Sequence, residues 1–204
     1  MRRFLAFGIF FLGITTPQFA AGMAMTVLGN GDASDCFHAA SMTRLGASGL
    51  DSCRKALMVG KLSPADRAAT HVNMGIVLNG LQRTDEAIES FGHALDLAPN
   101  LPEALLSRGN SHYLRRDYDL ALADYEASLD HGIRQESAAH FNRGMAHHKK
   151  KNFSEAASAY RRTLELDPDM ERARILLTHL ETHVLVGSAP SQGQDAVPEA
   201  TQAP

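Results

Sequence analysis

The sequence predicts an all-α fold, a solenoid of antiparallel helix pairs, and three observations carry that prediction. The first is recurrence. Gly75, Gly109 and Gly144 stand 34 and 35 residues apart, and Ala87, Ala121 and Ala156 keep the same steps. So do the rings of Phe91, Tyr125 and Tyr160 and the leucines Leu95, Leu129 and Leu164. Four residue kinds in one register mark a repeated unit of two helices, which buries its apolar face only by stacking on its neighbours. The second is punctuation: Pro99 returns two units later as Pro168, where a helix must already have ended. The third is composition. With no tryptophan and only 13 Phe and Tyr rings among 204 residues, the core must be built from Leu, Ala, Met and Ile.

The elements follow in chain order. Met1-Arg2-Arg3 is a cationic start, Phe4 to Ile14 is an apolar run, and Gly22-Met23-Ala24 places small residues at both cleavage-determining positions. Residues 1–24 therefore read as a secretory signal peptide, with Ala20-Ala21-Gly22 as a second possible cut. An uncleaved anchor is the competing reading, against which the apolar run falls short of the roughly 20 residues of a spanning helix. No cysteine follows it closely, which argues against lipoprotein processing.

Helices are expected at 33–45 and 49–60, joined by a flexible Gly46-Ala47-Ser48-Gly49. Ala33, Cys36, Phe37 and Ala40 form one apolar stripe and Leu50, Cys53 and Leu57 the next, so both thiols face the seam. An even cysteine count in an exported chain suggests a Cys36–Cys53 disulfide, worth about 3 kcal/mol for a loop of this length on the chain-entropy account. Two buried free thiols would be the alternative. A catalytic redox pair lacks its C-x-x-C spacing.

Ser63-Pro64-Ala65-Asp66 combines a cap, a first-turn proline and an acidic residue three places on, and starts a helix at 64–80. Thr84-Asp85-Glu86 is expected to start its partner, 84–97, in the same way. Further pairs fall at 102–115 with 118–130 and at 136–150 with 154–166. Residues 170–186 form a last helix whose Ile175, Leu176, Leu180, Leu185 and Val186 pack inward, while Glu171, Arg172, Arg174 and Glu181 face water. A solenoid end needs such a cover. From Gly187 to Pro204 no apolar periodicity survives, and residues 187–204 read as a disordered tail.

Within THVNMGIVLNGLQRTDEAIESFGHALDLAPN, PEALLSRGNSHYLRRDYDLALADYEASLDHG and SAAHFNRGMAHHKKKNFSEAASAYRRTLELDPD, the glycine, alanine, aromatic and proline positions resemble the tetratricopeptide repeat (TPR) family. The resemblance implies a right-handed superhelical TPR-like solenoid over residues 33–186. It divides into a degenerate repeat at 33–62, repeats at 68–101, 102–135 and 137–170, and a capping helix at 170–186. His71, Leu105 and His140 replace the large aromatic that often opens the first helix. Ile133 stands where a proline is expected, beside a one-residue insertion near His131-Gly132.

Gly75, Gly109, Gly144, Ala87, Ala121, Ala156, Phe91, Tyr125 and Tyr160 read as packing residues: small residues let helices approach and the ring fills the adjoining space. In TPR proteins partners lie in the concave groove lined by first helices. By register, the resemblance puts Val72, Asn73, Ile76 and Asn79 there, then Leu106, Ser107, Asn110 and Tyr113, then Phe141, Asn142, Met145 and His148. Asn73, Ser107 and Asn142 occupy one place, and a carboxamide can both give and accept a hydrogen bond along an extended peptide backbone. They could equally bond adjacent helices. The lysine and asparagine clamp that some TPR domains use for a terminal carboxylate is poorly matched, with Val72 and Leu106 at the places in question. Arg108 and Arg143 flank the groove and could meet carboxylates of a partner or of this chain.

Other chemistry finds no residues to carry it. Twenty basic against 23 acidic residues leave a formal charge of −3, without the basic stripe of a nucleic-acid binder. His179 and His183, or His147 and His148, are too few to hold a structural zinc, and no metal or other cofactor is expected. Lys149-Lys150-Lys151 complements a helix C-terminus. No phosphate loop, nucleophile elbow or carboxylate pair emerges. The expected protein is periplasmic or secreted, monomeric and non-catalytic, a scaffold binding a protein or peptide partner without nucleic acid or stable membrane insertion after signal cleavage. A self-assembling structural protein of the cell envelope and a metal or redox accessory factor are the competing classes.

Overall fold

The computed structural model describes residues 24–27, 31–42, 46–59 and 61–185. Nine α-helices occupy them: α1 Gly31–Ser41, α2 Gly46–Val59, α3 Pro64–Gly80, α4 Thr84–Leu97, α5 Pro102–Leu114, α6 Tyr118–Asp130, α7 Glu136–Lys149, α8 Phe153–Leu166 and α9 Glu171–His179, with π-helical turns at Leu180–Leu185. The described residues contain no strand, and none of their helices is long and apolar enough to cross a membrane. Most of the expected signal segment and the tail from residue 187 lie outside the described residues.

Consecutive helices pair as α1·α2, α3·α4, α5·α6 and α7·α8, and each second helix rests on the first helix of the next pair. Along the stack α1 touches α3, α3 touches α5 and α5 touches α7, whereas the second helices pack mainly on first helices. First helices therefore crowd together on the inner side of the curve, and their free face is the concave one.

The glycine and ring positions explain the pairing. A Cβ built on Gly75 would stand 2.6 Å from the Phe91 ring, on Gly109 2.7 Å from Tyr125, and on Gly144 2.6 Å from Tyr160. Each ring thus occupies the volume that its own unit's glycine leaves empty, and all three are fully buried. Two clusters form the main core, one around Phe91, Val72 and Leu95 and one around Tyr125, Tyr160 and Leu180.

Helix ends follow local chemistry, with corrections. Ser63 Oγ accepts the Asp66 N–H at 3.1 Å, and Pro64 opens α3 as expected. Thr84 does not cap α4. It is already helical, and Arg83 just before it clamps Glu86 through two nitrogens, closing the first turn by an ion pair instead. Gln82, Arg116 and Lys151 recur at one register place with φ of 61°, 70° and 64°. Each ends a first helix in a left-handed residue, and the following N–H returns to a carbonyl five residues back, as Asp117 N–H to His112 O at 2.9 Å. Gly132, φ 74°, ends α6 in the same manner, and Ile133 folds into the core behind it. The inserted glycine thus replaces the proline as terminator.

The first unit departs further from expectation. α1 stops at Ser41 rather than residue 45, and Gly46-Ala47-Ser48-Gly49 begins α2 instead of bridging to it. A Cβ on Gly49 would fall 2.3 Å from the Ala39 Cβ, so this glycine marks a close helix crossing. Cys36 and Cys53, both fully buried, are joined in a disulfide across it. At the other end Ala173 and Leu180 are buried and Leu176 and Leu177 pack beside them, while Ile175 is 57% exposed. Ile175 falls outside the i, i+3, i+4, i+7 stripe that those four residues define, which corrects its expected inward position.

Candidate functional site

Helices α3, α5 and α7, which touch one another along the stack, carry the twelve register-selected positions. Ile76, Asn79 and His148 are partly exposed. Val72, Asn73, Leu106, Ser107, Asn110, Tyr113, Phe141, Asn142 and Met145 are buried, several of them in the core clusters. The apolar members thus stabilise helix contacts. Phe141 lies against Tyr160 with ring centroids 5.8 Å apart, and the Arg172 guanidinium stands 5.3 Å from the Phe141 centroid. Tyr113 meets the Tyr118 ring edge-on at 5.4 Å, and burial pushes its phenol up to about 12.

The polar members divide into two behaviours. Some tie first helices together: Asn142 Nδ2 donates to Asn110 Oδ1 at 2.8 Å, the Tyr125 hydroxyl donates to the same oxygen at 3.0 Å, and Asn79 Nδ2 donates to Ser111 Oγ at 2.8 Å. Asn110 is thereby occupied within the scaffold. Asn73 behaves differently. Its Oδ1 accepts the Met25 N–H at 2.7 Å and its Nδ2 donates to the Met25 carbonyl at 2.7 Å, so one carboxamide holds both main-chain groups of one residue. At the other places of the same register, Ser107 Oγ and Asn142 Oδ1 are buried without a hydrogen-bond partner. A buried acceptor left without a hydrogen bond costs about 1–3 kcal/mol.

Charged groups near the inner face are largely matched internally. Arg108 forks onto Asp124 at 2.8 and 2.9 Å, and that hydrogen-bonded carboxylate, itself buried, strengthens the hold of the guanidinium on its proton. Burial lowers the histidines His112, His140, His147 and His148, and with His93 and Arg67 nearby it takes His71 down to about 4, so these rings are neutral at pH 7. No group of three or more His, Cys, Asp or Glu side chains is arranged to hold a metal among the described residues. Lys150 pairs with Asp119, which ties part of the Lys149-Lys150-Lys151 run to the neighbouring unit.

Met25 and Val27 contact the helices without any signal in the sequence. They lie 48 and 46 residues from Asn73, outside any repeat, and no periodicity reaches them. Ser111 was also missed, although its place four residues after Ser107 on α5 could have suggested it.

The family model for the tetratricopeptide repeat matches residues 72–131 and, overlapping, 106–171. Among curated proteins, the peptidyl-prolyl cis-trans isomerase FKBP4 of Mus musculus is 40% identical over 63 residues. The match spans 31% of this chain and 14% of the isomerase. Among solved structures, the Arabidopsis OM64 TPR domain is similar at TM-score 0.57 and 17% identity, over 60% of this chain and 100% of that domain. The first TPR of Spaghetti (RPAP3), bound to the HSP90 peptide SRMEEVD, is similar at TM-score 0.55 and 23% identity, over 57% of this chain and 92% of that chain. At these identities the likeness to solved structures is one of fold.

Proposed function

The chain belongs to the tetratricopeptide repeat family, and from that premise we propose that it is an exported, non-catalytic scaffold that captures an extended segment of a protein or peptide partner on its concave face. The observation that carries this reading is Asn73, whose carboxamide pairs with both main-chain groups of Met25. Such pairing reads backbone and not side chain, so it suits any extended segment. In this reading the same mode continues along the face through Ser107 and Asn142, which hold the register place of Asn73 on the adjacent first helices. A similar fold holding the peptide SRMEEVD in Spaghetti (RPAP3) is consistent with it. A carboxylate clamp is not supported here, because Val72 and Leu106 are buried aliphatics and Arg108 is spent on Asp124.

The Cys36–Cys53 bridge supports an oxidising compartment, and with it export of a chain whose signal segment ends near Ala24. The proposed domain limits remain those of the repeats, 33–62, 68–101, 102–135 and 137–170, with the 170–186 cap, and the protein acts as a monomer without nucleic acid.

The test is selection of peptides from a random 12-residue library, followed by calorimetry against the chain and three variants. Ile76→Glu and His148→Glu, on the partly exposed inner positions, should each weaken selected peptides at least tenfold. Leu120→Glu, an exposed residue of the second helix α6, should leave them unchanged. Loss with Leu120→Glu alone would move the binding surface to the convex side, and failure to select any peptide would end the reading.

A further inference from the structure

Residues 24–27 belong to neither helix nor strand, and along them Met25 and Val27 pack against the fold while Thr26 between them is exposed. Val27 is 7% exposed and sits in a notch lined by Ala33 of α1, Ala56 of α2 and Ala69 of α3, with Met25 and Leu62 at its edge. Three alanines from three helices leave a hollow that suits a branched aliphatic side chain. One helical turn along α3 from Ala69, Asn73 takes both main-chain groups of Met25. The two contacts together define a site: a backbone reader at Asn73 and an aliphatic notch two residues further along the bound segment.

We propose that this is a specificity site for an extended apolar segment bearing an aliphatic residue two places C-terminal to the residue held on Asn73, and that Met25–Val27 is its resident occupant in cis. A partner's segment of the same pattern must displace it. This displacement rests on the concave-face reading given above; the seating of Val27 does not. Nothing in the contact requires the occupant to be covalently attached, since Asn73 meets only main-chain atoms and the notch meets only a side chain. Attachment gives the cis segment its advantage. Only three residues separate Val27 from α1, and a short tether raises the effective concentration to the order of millimolar. A free peptide competing with a cis segment of micromolar affinity then sees the site weakened by a factor of about 1,000.

Two measurements on the full chain as purified test the inference. The first is methyl nuclear Overhauser spectroscopy, which should connect Val27 to Ala33, Ala56 and Ala69 and lose those contacts in Asn73→Ala, with circular dichroism showing that the variant keeps its helices. The second is anisotropy titration of a labelled peptide carrying the sequence of residues 24–30. The Val27→Asp chain, its cis occupant disabled, should bind this peptide at least tenfold more tightly than the unaltered chain. Adding Asn73→Ala, or replacing the peptide's valine by aspartate, should remove that binding. Absence of the Val27 contacts in the unaltered chain overturns the proposal, as does equal binding by the unaltered and Val27→Asp chains. Val27 contacts without peptide binding to Val27→Asp overturn the specificity site and leave a permanent strap. If library-selected peptides bind regardless of Val27→Asp, the concave-face reading stands and this inference alone fails.

Discussion

At the scale of single residues, this protein works by subtraction. Gly75, Gly109 and Gly144 matter through the Cβ they lack, because the ring of Phe91, Tyr125 or Tyr160 lies where it would be. Gly109→Ala must move a buried tyrosine whose hydroxyl is bonded to Asn110, and Gly109→Leu must move more. The leucine variant should lose about 1–3 kcal/mol or more in urea denaturation, with alanine losing less. His71 makes a second residue-scale prediction. Burial, aided by the charges of His93 and Arg67, lowers it from 6.5 to about 4. The unfolded chain therefore binds the proton more readily, so stability is complete above pH 6.5 and is lost as pH falls towards 4. The ring is only half-buried, and solvent screening reduces the effect to the order of 1 kcal/mol. His71→Phe should flatten the stability profile between pH 6.5 and 4. An unchanged slope would assign the acid sensitivity to the other lowered histidines.

At the scale of the element, the helix ends carry the information. Gln82, Arg116 and Lys151 adopt left-handed backbone without being glycine, a conformation that costs L-residues roughly 1–2 kcal/mol. The surface ion pairs to Asp85 and Asp117 are made by the neighbouring Arg115, so the Arg116 side chain can be removed at little cost. Arg116→Gly should raise stability by about 0.5–1 kcal/mol in thermal and urea unfolding, whereas Gly132→Ala, at φ 74°, should lower it by a similar amount. Equal effects of the two substitutions would show that the α5 and α6 ends are not held as described.

At the scale of the whole molecule, a solenoid passes stability only between neighbours. The disulfide staples one unit, α1 with α2, and those helices also supply two of the three alanines around Val27. Replacing Cys36 and Cys53 by alanine should cost about 3 kcal/mol on the chain-entropy account. The loss should be local. Hydrogen exchange should quicken in α1 and α2 while α7 and α8 keep their protection. Uniform acceleration along the chain would mean that the stack unfolds as one unit and that the bridge supports all of it.

Most of this architecture was written in residue spacing. Gly75, Ala87, Phe91 and their successors make the same local packing in each unit, so a period of 34 or 35 is enough to place helices α3 to α8 within a residue or so of where they stand. Cys36 and Cys53 could be paired because helical periodicity put both on inward stripes. Positions whose role depends on residues far away were not legible. In sequence Gly49 is indistinguishable from a flexible joint, and only its approach to Ala39 makes it a crossing; Ile175 matches a core residue in type, and only the phase of α9 turns it outward. The same holds for the candidate site. Register placed Asn73, Ser107 and Asn142 on one line, yet only tertiary packing decided that Asn142 would bond Asn110 and that Asn73 would hold Met25. Repetition encodes contacts within a unit and with the next one, whereas a non-repeated segment 48 residues away meets its partner only through the folded shape.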